Sequence, residues 1–133
     1  KGSQPKRCMS LDITLNGPQV QKICECIECG NKHERTIVPI VWETKITHNL
    51  VAMAQEASIY CMVWHPERNG ITTAGQLIEP LQRAISLMES DAARFKKHDA
   101  KNRWGTYDQF LEWLKEYLAA CQKYPTATIE VSR

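Results

Sequence analysis

Three of the six cysteines of this chain, Cys24, Cys26 and Cys29, fall within six positions, and Gly30 and His33 follow at once. Two thiolates spaced as in Cys26-x-x-Cys29-Gly30 can share one tetrahedral zinc, because the small residue lets the loop fold back on the metal. The natural ligand set is Cys24, Cys26, Cys29 and His33, with Cys8, His48 or His65 as other sources. A full zinc ribbon would carry a second Cys-x-x-Cys, which is missing here, so a structural zinc and a set of reduced, metal-free thiols are both compatible with the pattern. A redox role would need a thioredoxin-like βαβ context, and a catalytic zinc a His-Glu-x-x-His or His-x-Glu signature. Neither is present. Cys61 and Cys121 sit in apolar helical surroundings and are expected to be small buried hydrophobes.

The second group with chemical potential is Thr47-His48-Asn49, placed where an apolar strand-like run gives way to a helix-like run. Thr and Asn suit a helix start because their oxygens accept the orphan N–H groups of the first turn. A histidine between them would lie beside exposed N–H groups and a partial positive charge, which suits an anionic ligand. The plainer reading is an N-cap with an incidental histidine. Aromatic residues Trp42, Tyr60, Trp64, Trp104 and Tyr107 stand at junctions between elements. There they could stack on a nucleobase, or simply fill the core. Helix starts fall at Thr47/Asn49, Thr72/Thr73 and Thr106, and two of them, if they converge, would make a small anion pocket.

Catalytic signatures are thin. No Gly-x-Ser-x-Gly, phosphate loop or dinucleotide fingerprint occurs. His48 with Asn49, or His65 with Glu67, could act as an acid–base pair, so catalysis stays open while binding is the expected role.

The elements that must position these groups follow from periodicity. Leu11-Asp12-Ile13-Thr14-Leu15 alternates like a half-buried strand, Asn16-Gly17-Pro18 is turn chemistry, and Val20–Cys24 resumes in strand style. Residues 11–25 thus read as a hairpin. A third strand spans about Arg35–Ile46, with Pro39 marking an edge, a bulge or a break. A short helix is expected over Asn49–Tyr60. Thr73-x-x-Gln76 is a capping box opening a stripe from Leu77 to Met88, in which Pro80 should kink the helix or shift its start. A short helix could follow over Asp91–Lys97. Thr106-x-x-Gln109 caps the clearest amphipathic stripe: Tyr107, Phe110, Leu111, Leu114, Tyr117, Leu118 and Cys121. Ala127–Val131 alternates as a final strand. The fold class is therefore α+β: a small, mostly antiparallel sheet of three N-terminal strands plus a C-terminal one, with three to four helices on one face.

With 133 residues the chain suits one domain, here 9–133, carrying a Cys-rich turn at 24–33. Residues 1–8 read as a loose arm or expression remnant. A net charge of +2 is too small to argue for nucleic acid or an anionic membrane, and the basic run Arg94–Arg103 reads as a solvated face. No run is long and apolar enough for a membrane span, and no signal core precedes Met9, so a cytoplasmic location is expected.

From Ile46-Thr47-His48-Asn49-Leu50 onward the chain resembles a family of small uncharacterised proteins of bacteriophages and prophages. The shared features are Thr47-His48-Asn49 with Met53 and Ala54; Tyr60 and Trp64; Trp104-Gly105-x-Tyr107; Ala120-Cys121-x-x-Tyr124-Pro125; and Ile129-x-Val131-Ser132-Arg133. The Cys26-x-x-Cys29 turn looks like the form some members carry, which would make zinc a stiffener of the hairpin. The resemblance implies a phage accessory protein acting in the host cytoplasm. Such proteins often counter host defences, some by sequestering cyclic nucleotide signals. By that analogy Thr47 and Asn49 would hold phosphate, and His48 would bond a phosphate or base edge. Tyr60, Trp64 or Trp104 would stack on the base beside Tyr107, and Arg103 or Arg133 would add charge. The alternative is a zinc-stabilised module contacting a host protein or nucleic acid. A homo-oligomer is compatible with either.

Overall fold

A computed structural model describes residues 10–25, 30 and 32–133. Its elements are β1 (Ser10–Asn16), β2 (Val20–Glu25), β3 (Lys32–Ile37), β4 (Ile40–Thr47), α1 (Val51–Glu56), α2 (Tyr60–Trp64), α3 (Ile78–Ser90), α4 (Ala92–Lys96), α5 (Tyr107–Lys123) and β5 (Thr128–Ser132). The fold is α+β. A three-stranded antiparallel sheet, ordered β4-β1-β5, joins strands from both ends of the chain, and β2-β3 form a separate two-stranded ribbon.

The hairpin expected over residues 11–25 does not form. β1 pairs with β4 and β5, while β2 pairs with β3. The reason lies at the turn. Gly17 N–H donates to Pro39 O at 2.8 Å, so the chain is stapled to the far side of the ribbon root instead of folding back on β1. The β2/β3 pair is thus nested inside the β1/β4 pair, with β1/β4 as the base and β2/β3 as the arm. The run Arg35–Ile46 is correspondingly two strands, parted at Val38-Pro39, where proline has no N–H for the ladder.

Strand alternation decides the layers. Leu11, Ile13 and Leu15 of β1 are buried, and in register with them lie Ile46, Thr44 and Trp42 of β4 and Val131 and Ile129 of β5. This face takes the helices. Trp42 stacks on Tyr117 of α5 (5.5 Å between centroids), and Trp113 Nε1–H donates to Thr44 Oγ1 at 2.9 Å. Trp113 is buried although it stands outside the expected stripe. The other face is polar: Asp12, Thr14, Glu43, Lys45, Glu130 and Ser132 line an open concavity.

Pro80 does not kink its helix. A 3-10 turn over Ala74–Leu77, closed by the Thr73/Gln76 capping box, precedes α3, so Pro80 falls in the first turn, where a missing N–H costs little. Thr106 and Gln109 cap α5 in the same way, and Tyr107 O–H donates to Met88 O at 2.8 Å, tying α5 to α3. Cys121 is buried, and burial pushes its thiol up to about 12. Cys61 is exposed, contrary to expectation, because α2 turns Val63 and Trp64 inward and leaves Cys61 on its outer side. Among the described residues no helix is long and apolar enough to cross a membrane.

Gly75 sets a constraint on this scaffold. Its N–H donates to Pro125 O at 2.8 Å, and a Cβ there would stand 2.9 Å from that same backbone oxygen. Gly75→Ala should cost about 1–3 kcal/mol as overpacking against backbone, read as a lower denaturation midpoint.

Candidate functional site

The segment after β4 is shorter and tighter than a helix over 49–60. Thr47 is extended (φ −69°, ψ 142°) and its Oγ1 accepts the Asn49 N–H at 3.2 Å. His48–Leu50 make a 3-10 turn, α1 has six residues, and Ser58 at φ 59° ends the run before α2 begins. Thr47 is a genuine cap, and its oxygen is spent on its own turn. So short a helix sums few peptide dipoles, so any anion held here must be held by side chains.

Behind the turn lies a chain of rings. Trp64 is buried, and its Nε1–H donates to His48 Nδ1 at 3.0 Å. Indole N–H is a donor only, so His48 must accept at Nδ1 and carry its proton on Nε2 in the neutral ring. Tyr60 stacks on Trp64 with centroids 5.5 Å apart, and its hydroxyl meets His65 Nε2 at 3.2 Å. His65 Nδ1 stands 3.9 Å from Glu67 Oε2, inside ion-pair range and beyond a hydrogen bond. Glu67 is instead engaged by Arg133, whose Nη1 lies 3.2 Å from Glu67 Oε1 and also donates to Trp64 O at 2.9 Å. His65 and Glu67 are thus neighbours held apart by Arg133, which is poor geometry for an acid–base pair.

Burial lowers the His65 pKa, and the charges of Arg68 and Arg133 lower it further, against the opposing pull of Glu67. The neutral ring is favoured in the folded state, so the unfolded chain binds the proton more readily. The stability this contributes is fully present above the ordinary histidine pKa and is lost as pH falls through it toward the lowered folded value. The melting temperature should therefore drop between pH 7 and pH 5, and the drop should shrink in His65→Gln, as a pH series of thermal melts would read.

In front of the turn lies the loop before α5. Asn49 Nδ2 donates to Trp104 O at 2.9 Å, and Trp104 N–H donates to Asn102 Oδ1 at 3.0 Å. Gly105 (φ 109°) is pressed onto the turn: a Cβ there would lie 3.2 Å from Asn49 Cβ, Leu50 Cγ and Thr47 Cγ2. Its N–H donates to Gln109 Oε1 at 2.9 Å. Arg103 holds φ 62°, a left-handed conformation that is strained for a residue with a side chain. Trp104 is nevertheless 71 % exposed. The loop is pinned at both sides and presents a large aromatic face to water beside exposed Lys101 and Arg103.

Of the expected ligand residues, Thr47, His48, Asn49, Arg103 and Trp104 gather at this corner. Tyr60 and Trp64 stand behind it as support, and the buried Trp64 has no open face on which a base could stack. Tyr107 leaves the group altogether. Its ring is buried with its hydroxyl on Met88, under Lys96 Nζ at 5.4 Å, and burial raises its pKa. For the expected metal set, Cys26 and Cys29 lie outside the described residues, and Cys24 and His33 occupy one register position across β2 and β3. Among the described residues no group of His, Cys, Asp and Glu could hold a metal.

One cluster has no signal in the sequence. Glu56 of α1 takes Arg94 Nε at 2.6 Å, His98 Nε2 at 3.3 Å and Lys97 Nζ at 3.6 Å, which fastens α1 to α4. The Arg94 hydrogen bond first, then that of His98, holds the Glu56 carboxyl down at about 2.

The chain matches no family model, no curated protein and no solved structure. The fold and corner define an α+β domain with a pinned aromatic–basic loop.

Proposed function

We propose that this chain is a phage-encoded, non-enzymatic protein that binds a small anionic, nucleotide-like ligand and so sequesters a cyclic nucleotide signal of host antiviral immunity. The observation that carries the binding reading is Trp104: a tryptophan 71 % exposed on a loop fixed by Asn49, Asn102 and Gly105, next to Arg103. A preorganised aromatic face with adjacent cations is what a nucleobase and its phosphate require, since stacking contributes about 1–3 kcal/mol per base. With Nδ1 accepting from Trp64, His48 leaves Nε2–H as a further donor on the 47–50 turn. The phage origin and the immune signal rest on the family resemblance alone.

Thermal shift of the full chain against cyclic dinucleotides, cyclic trinucleotides and ADP-ribose derivatives tests this reading. A stabilising shift with at least one of them, lost in Trp104→Ala while the unliganded melt stays put, is the expected outcome. No shift with any of them would sink it.

A second reading is a zinc-stabilised interaction module, favoured by the backbone register that sets Cys24 of β2 opposite His33 of β3. In this reading Cys24, Cys26, Cys29 and His33 would hold the metal, as their spacing in the sequence suggests, and it would stiffen the β2/β3 pair. Protein purified without chelator should contain one zinc per chain by elemental analysis, and Cys26→Ser should release it with the main melting transition unchanged. Metal-free protein would remove this reading.

A further inference from the structure

The two edges of the three-stranded sheet are treated differently. Along β5 the outer edge is covered at its start: Ile129 N–H donates to Thr72 O at 2.9 Å, Ala74 N–H donates to Ala127 O at 2.9 Å, and Thr73 bridges Thr128. β4 forms the opposite edge, and among the described residues no strand or bridging segment pairs with its far side. An open edge is a row of unpaired N–H and C=O groups, and proteins usually blunt it with proline, bulges or clustered lysines. Here the register slips only where Asn16 meets Ile40, which leaves Val41 as the extra residue. From Trp42 to Ile46 the strand runs regularly, with no proline and one lysine.

That stretch, Trp42-Glu43-Thr44-Lys45-Ile46, is complementary to itself. In an antiparallel pair related by a two-fold axis through Thr44, each residue faces the one equally far on the other side. Glu43 then faces Lys45 of a second copy, and Trp42 faces its Ile46, each pairing occurring twice. The sides agree as well. Glu43 and Lys45 lie on the polar face with Thr14 and Asp12, whereas Trp42 and Ile46 lie on the helix-bearing face with Leu15 and Leu11. Shifting the axis to Glu43 or to Lys45 would oppose like charges, and shifting it to Trp42 would leave Glu43 without a cation. The Thr44 axis also extends the charge row already present, since Lys45 sits between Asp12 of its own sheet and Glu43 of the other.

We propose that β4 is a dimerisation edge: two copies of this chain pair Trp42–Ile46 antiparallel about Thr44 and form one continuous six-stranded sheet. The occupant is a second copy, because the charge pattern of the edge matches its own reverse. This pairing is independent of the Trp104 corner, and its failure would leave the ligand reading untouched.

Sedimentation of the full chain over a hundredfold concentration range should show a species of twice the 15.3 kDa chain mass growing with concentration. Glu43→Lys opposes two cation pairs at the edge and faces only neutral Thr14 within its own sheet. It should weaken dimerisation about tenfold or more, with the monomer's melt retained. The double swap Glu43→Lys with Lys45→Glu restores opposite charges in the same register and should restore the dimer. Three results would each overturn the proposal. The chain could stay monomeric throughout, including as a monomer that captures a foreign extended peptide. The dimer could be indifferent to Glu43→Lys. Or the double swap could fail to recover it while still folding.

Discussion

Trp64→Ala should lower stability by about 3–5 kcal/mol, the range for emptying a large aromatic site in a packed core. Trp64 is 2 % exposed and carries three connections at once. Its ring stacks on Tyr60, its indole N–H fixes His48, and its backbone carbonyl accepts from Arg133 Nη1. Removing the ring therefore loosens α2 and the 47–50 turn together, while the backbone carbonyl that accepts from Arg133 is kept. A loss of this size should move the melting temperature by about 10 °C or more. Trp64→Phe separates the causes. It keeps most of the ring and drops the N–H donor, so it should cost about 1–3 kcal/mol and free the His48 ring to change tautomer, visible in its nitrogen chemical shifts. A Trp64→Ala variant as stable as the parent would mean that the ring is not packed as described.

Gly105→Ala is expected to cost about 2–4 kcal/mol, combining strain at positive φ with overpacking. At φ 109° a side chain is disfavoured whatever the space, and the added carbon would press on Thr47, Asn49 and Leu50 together. The cost should come with a local signature. The contact between Asn49 Nδ2 and Trp104 O should lengthen, and amide exchange at Trp104 and Gly105 should speed up relative to the middle of α5. Gly30, also at positive φ but with no heavy atom of the described residues within 4 Å of its Cβ position, is the control: Gly30→Ala should carry only the backbone strain.

The helices were largely legible in the sequence because their signals are local. Thr106-x-x-Gln109 and Thr73-x-x-Gln76 announced both capping boxes, and the α5 stripe announced its buried face. The strand pairing was not legible. Asn16-Gly17-Pro18 carries hairpin chemistry, yet its bond goes to Pro39, twenty-two positions away, and no local pattern records that choice. The same limit governs the site. Asn49 and Trp104 were both candidates, but the bond between them spans 55 positions. Tyr107 is the counter-example: its ring belongs to the buried side of α5, as its place in the amphipathic stripe suggests, and proximity in sequence to Trp104 misleads. The Glu56–Arg94–His98 clasp joins ordinary surface residue types that become informative only once α1 and α4 are packed.

In the proposed function the 47–49 turn and the Trp104 loop form one binding corner for a nucleotide-like anion. Its most direct test is to follow the four tryptophan indole N–H resonances of the labelled full chain while a cyclic dinucleotide, and in parallel a cyclic trinucleotide, is titrated in. With one of these ligands the Trp104 resonance should shift most, Trp64 should follow through its bond to His48, and Trp113, locked on Thr44, should stay still. A Trp104 resonance unmoved by either ligand, or a shift confined to Trp42 or Trp113, would contradict the account.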